Sequence, residues 1–171
     1  MDSGNIILQE TDYRRLQSIL ERTQKDLRAH LVLLIDRSGH QIACEGPDQE
    51  IDQTALASLA AANVAATNGL AQIVGEPEFS VLYHQGAQRS IHISSVAERF
   101  SLVLVFDQTV ASGVVRWKLR RATFFLDEIL LEVAKKSGRK LAPGDAGAQP
   151  ALSTKFTDEE INRLVGEINL K

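Results

Sequence analysis

DQTALASLAAANVAATNGLAQIV, residues 52–74, decides how the rest of the chain is read. Its only charged residue is its first, Asp52, and alanine dominates the remainder. Leu56, Leu59, Ala66, Leu70, Ile73 and Val74 recur at helical spacing, which predicts a helix with a bulky side packed on a core. The opposite side carries Ala57, Ala61, Ala65, Asn68, Gly69 and Gln72, small and uncharged where a solvated helix normally carries Lys and Glu. Such a face lets another surface approach closely, with no long side chains to immobilise and no charges to desolvate. The reading is therefore a docking platform. The plain alternative is a helix covered on both sides by its own chain.

Working outward, residues 75–77 (GEP) end this helix, because proline disfavours helical geometry at the residue before it. Upstream, residues 30–35 (HLVLLI) and 41–45 (QIACE) flank a Gly-containing turn and form a hairpin, and residues 46–48 (GPD) break the sheet. Further upstream, residues 11–28 place Tyr13, Leu16, Ile19, Leu20 and Leu27 on one stripe of an amphipathic helix. Downstream, residues 79–84, 90–96 and 101–106 are strand-like and closely connected, as in an antiparallel meander. Residues 112–136 form a long helix with Val115, Leu119, Ala122, Leu126, Ile129, Leu130 and Val133 on one stripe, and with Trp117 and Phe124 off it. Its first half is basic (Arg116, Lys118, Arg120, Arg121), which reads as a solvated face or a contact for an acidic partner. The order helix, two strands, helix, three strands, helix gives an α+β domain over residues 8–136, with one five-stranded antiparallel sheet and helices on both faces.

Residues 137–154 are rich in Gly and Pro without periodicity, a flexible linker. Residues 155–171 come next as a tethered C-terminal amphipathic helix. Thr157 and Glu160 make a capping box there, and Phe156, Ile161, Leu164, Val165 and Ile168 make its apolar stripe. A helix this short needs a surface, either a partner's or its own domain's.

With 171 residues, 44% of them hydrophobic, the chain can bury a core without metal or disulfide support. A net charge of −3 gives no argument for nucleic acid, and no apolar run reaches the length of a membrane span. The single cysteine, Cys44, suits a reducing compartment, so a cytoplasmic location is expected. His84 and His92 fall on neighbouring strands, but no spacing completes a metal site, and no cofactor is expected. There is no phosphate-binding GxxxxGK[ST] loop, and Ser38, Ser94 and Ser95 lie outside any nucleophile-elbow pattern. The expectation is a regulator or scaffold and not an enzyme.

Four stretches carry a resemblance: LVLLIDRSG (31–39), IDQTALASLAAANVAATNGLAQIVGE (51–76), LVLVFDQTVASGVVR (102–116) and FTDEEINRL (156–164). Together they resemble the roadblock (dynein light chain) family and, within it, the bacterial MglB-like proteins. The resemblance implies one helix on one sheet face and two on the other. It also implies a homodimer joined edge-to-edge through the strand at residues 79–84, able to assemble further. The partner implied is an MglA-like small Ras-type GTPase whose GTP hydrolysis is stimulated, in the control of bacterial polarity and motility, by a protein concentrated at a cell pole. GTPase activation often uses an arginine supplied in trans, here Arg89, Arg99 or Arg116. The resemblance favours instead the movement of the GTPase's own switch loops. The tail helix would then be a second GTPase contact, associated with nucleotide exchange. The other reading is a roadblock scaffold that binds a GTPase without stimulating it.

Overall fold

A computed structural model describes residues 8–46 and 50–136. In chain order the elements are α1 (Glu10–Leu27), β1 (Leu31–Asp36), β2 (Gln41–Glu45), α2 (Gln53–Val74), β3 (Val81–Gln85), β4 (Arg89–Val96), β5 (Phe100–Asp107) and α3 (Ser112–Lys136). The sheet order is β2-β1-β5-β4-β3. Every neighbouring pair is antiparallel.

Alternation along the central strands separates two cores. Val32 and Leu34 of β1, with Leu102, Leu104 and Phe106 of β5, point to the face covered by α1 and α3. There they meet Leu16, Leu20, Leu119, Leu126 and Leu130. Leu31, Leu33 and Ile35, with Val103 and Val105, point to the opposite face and meet α2. Because β1 is covered on both faces, its sequence is continuously apolar instead of alternating. α1 and α3 run antiparallel, tied by Arg15 to Glu132 at 2.8 Å and by Lys118 to Asp26 at 3.6 Å.

The ends of α2 are chemically specified. Asp52 caps it by accepting from Ala55 N at 2.9 Å, and Gly75 closes it in the left-handed region (φ +80°). That glycine, two residues before Pro77, is where the helix stops. The β1–β2 turn contains a second left-handed glycine, Gly39 (φ +85°). A Cβ there would come within 2.9 Å of the Ser58 Cα, so the bare backbone of the turn lies directly against α2.

Candidate docking surface

α2 carries no charge between Gln53 and Val74, but its two sides are reversed relative to the sequence expectation. Ala57, Ala60, Ala61 and Ala71 are the buried residues, and the first three sit on Leu31, Leu33, Ile35, Val103 and Val105. Leu59, Leu70, Ile73 and Val74 are instead exposed, Ile73 by 81%. Ala66 is exposed too, and only Leu56 of the bulky set packs toward the core. The reason is volume. The strands already fill the space with Leu, Ile and Val, so the helix can seat only where it offers methyl groups. Ala57 and Ala61 therefore leave the outward face. Ala65, Gly69 and Gln72 stay on the surface, and Asn68 is half-buried.

The exposed side resolves into two stripes. Asn63 Nδ2 lies 3.1 Å from His84 Nε2 on β3, which fixes the side of α2 that faces this strand. Leu59, Leu70 and Val74 lie four residues before and seven and eleven after Asn63, hence on that same side. Ala62, Ala65, Ala66, Gly69 and Ile73 make up the outward stripe, uncharged throughout.

β3 is an open edge. Among the described residues its register pairs it with β4 alone, from Val81↔Ser94 to Gln85↔Ser90. The other edge strand, β2, is partly occupied by α1, whose Gln17 Nε2 donates to Cys44 O at 2.8 Å. Apolar Val81 and Tyr83 are about half exposed on β3, on the sheet face opposite His84.

The other residues singled out in the sequence do not converge. Arg89 starts β4 and pairs with Glu50 at 3.1 Å, Arg99 lies in the β4–β5 turn, and Arg116 sits on α3 across the sheet from α2. His84 and His92 occupy opposite faces, since His92 pairs with Tyr83 and His84 with Ile91. His92 is buried, with Nε2 3.0 Å from Ser94 Oγ and no partner at Nδ1. Burial first, and then the charge of Arg116, push its pKa down to about 4. Cys44 is half-buried, and its thiol contacts Gln53 Oε1 at 3.4 Å. Tyr13, read as core-facing, is 41% exposed because the buried stripe of α1 runs through Asp12, Leu16, Leu20, Thr23 and Leu27, one position off Tyr13. The tail residues Phe156, Ile161, Leu164, Val165 and Ile168 lie outside the described residues.

A second surface feature was not anticipated. Between α1 and α3 runs a groove of about 690 Å³, floored by Ile19, Ala122 and Ile129, with Trp117 and Phe125 on its wall. Five of its residues are basic (Arg14, Arg15, Arg22, Lys118, Arg121) and two acidic (Asp26, Glu128). The basic run on α3 and the off-stripe Trp117 were the available signals. What they lacked was α1, whose arginines supply the other bank.

The Roadblock/LC7 domain family matches residues 16–106. No curated protein matches the chain significantly. Among solved structures, Myxococcus xanthus MglB is 37% identical, with a TM-score of 0.70 over 74% of this chain and 96% of that one. The gliding protein MglB of Thermus thermophilus is 35% identical, with a TM-score of 0.69 over the same shares. An MglB described as having a tetrameric arrangement is also 35% identical, with a TM-score of 0.70. A Roadblock/LC7 domain from Streptomyces avermitilis shares the fold at 10% identity, with a TM-score of 0.62. The family match spans β1 through β5, the whole sheet together with α2, and the chain belongs to the Roadblock/LC7 family, with MglB-like proteins as its relatives there.

Proposed function

We propose that this chain is a homodimeric, non-catalytic regulator that binds an MglA-like small Ras-type GTPase and stimulates its GTP hydrolysis, in the control of bacterial cell polarity and motility. The observation that carries the reading is the uncharged outward stripe of α2 beside the open edge of β3, in a chain 35–37% identical to MglB proteins. Pairing two β3 edges would continue the sheet across two copies and bring the Leu59–Leu70–Val74 sides of both α2 helices toward one another. The outward stripes would then merge into one small-residue platform of Ala62, Ala65, Ala66 and Gly69 with Gln72. Further assembly of such dimers is compatible with the relative that has a tetrameric arrangement.

GTP hydrolysis needs an oriented water and stabilisation of charge developing on the phosphate. The α2 face has no arginine to offer, so the platform would act by holding the GTPase's own switch loops and arginine in place. Residues 155–171, on the linker 137–154, would make a second contact through Phe156, Ile161, Leu164, Val165 and Ile168, and that contact would promote nucleotide exchange. The site of action would be the cytoplasm, concentrated at a pole. No described helix is long and apolar enough to cross a membrane.

Multiple-turnover GTP hydrolysis by the cognate GTPase, with and without this chain, tests the reading. Acceleration that is abolished by Gly69→Arg is the expected result. Binding without acceleration would overturn activation and leave the scaffold reading.

A further inference from the structure

The groove between α1 and α3 lies on the sheet face opposite α2, so the platform does not use it. Its wall exposes apolar surface, with Trp117 39% and Phe125 40% accessible. Of the groove's basic side chains, Arg14, Arg15 and Lys118 are ion-paired with Glu10, Glu132 and Asp26, while Arg22 stands exposed on α1. Arg121 lies 5.9 Å from the Phe125 ring, which sets a cation against the aromatic wall. An occupant that covers this apolar wall and also meets Arg22 is amphipathic, with an acidic group on the side of α1.

We infer that the chain's own C-terminal segment, residues 155–171, docks in this groove in the free protein. Three observations converge on that occupant. The first is size. From Trp117 to Ile129 the groove runs about 18 Å along α3, the length of about three helical turns, which matches the Phe156–Ile168 stripe. The second is charge. Asp158, Glu159 and Glu160 stand in succession after Lys155, Phe156 and Thr157, an acidic cluster complementary to the exposed Arg22 on the α1 bank of the groove.

The third is reach. α3 ends at Lys136, and the far end of the groove, at Trp117, lies roughly 29 Å back along the same helix. Residues 137–154 span on the order of 23 Å as a flexible coil and up to ~60 Å extended, so both ends are accessible. An effective concentration on the order of 1 mM makes even a ~100 µM contact about nine-tenths formed. Docking of this kind concerns the free protein and does not rest on the GTPase reading.

Trp117 is the chain's only tryptophan, so the groove carries its own reporter. Acrylamide quenching of its fluorescence is compared between the full chain and the full chain carrying Ile161→Asp and Leu164→Asp, with no GTPase present. Both substitutions lie outside the roadblock domain. The quenching constant should rise about twofold in the variant, and Arg22→Glu should reproduce the rise. The rise should be the same at all protein concentrations. Equal quenching of wild type and tail variant overturns the inference. So does a difference that disappears on dilution, which would assign the groove to a second copy's tail.

Discussion

The Asp127 carboxylate on α3 accepts a hydrogen bond from Ala97 N at 2.6 Å, and so anchors the turn between β4 and β5 from below. Ala97 and Glu98 both have positive φ (45° and 57°), a conformation most side chains avoid. Arg37 donates to Glu98 O from the neighbouring β1–β2 turn at 2.9 Å. The strained turn is thus held by a carboxylate on one side and a guanidinium on the other.

Burial raises the Asp127 pKa, against the lowering effect of the Ala97 N–H. The folded state therefore holds a proton the unfolded chain has released, and stability falls as pH rises from the ordinary carboxylate range through the raised value. Asp127→Asn, which keeps an acceptor oxygen, should flatten that slope. Asp127→Ala, which removes the acceptor, should cost about 1–3 kcal/mol. Urea unfolding of both variants between pH 4 and 7 reads the two effects separately.

His92 works in the opposite direction. Its folded pKa of about 4 lies below the ordinary value near 6.5, so the unfolded chain binds the proton first. Stability should be complete above the ordinary value and decline as pH falls toward 4, by up to about 3 kcal/mol. His92→Leu should remove that decline, because the group that takes up the proton is gone, while the Nε2 contact to Ser94 Oγ is lost at every pH. Unchanged acid sensitivity in the variant would contradict this account.

Gly39 combines a left-handed backbone with a Cβ position 2.9 Å from Ser58 Cα. Gly39→Ala should destabilise by about 2–4 kcal/mol, the sum of a conformational and a steric cost, and thermal or urea unfolding measures it directly.

The orientation of α2 gives a paired test. Ala61→Leu should cost about 1–3 kcal/mol by overpacking against the sheet. Ala66→Leu, on the exposed side, should stay within about 0.5 kcal/mol. Equal costs would mean that the helix is seated differently.

For the proposed dimer, Leu70→Glu puts a charge on the β3-facing side of α2, where the native leucine is 58% exposed in the single chain. Sedimentation should show a dimer for the native chain and a monomer for the variant, with the fold retained by circular dichroism.

Element order was legible because α1 and α3 carry helical apolar stripes and the central strands are short apolar runs bounded by turns. The stripe from Val115 to Val133 on α3 is buried throughout, and the apolar run of β1 reflects cover on both faces. The five strands fall within two residues of their expected positions. The facing of α2 was not legible, because size stood in for burial. A large residue is an ordinary core candidate, and nothing in the Leu59, Leu70 or Ile73 neighbourhood says that the opposing strands have no room left. The α1–α3 groove was hidden for a different reason. Arg22 and Lys118 are 96 positions apart, and only the antiparallel packing of two helices makes them neighbours.

Ala57, Ala60 and Ala61 seat α2 on the shortest apolar side chains available. That gives the helix a floor and no slack beneath it, since any larger residue at these positions can only lift it. Height above the sheet is then an intrinsic setting, fixed within each copy before any copies meet. Two copies sharing a continued sheet would present level helices without adjusting to one another, and flatness across the pair would be inherited instead of negotiated.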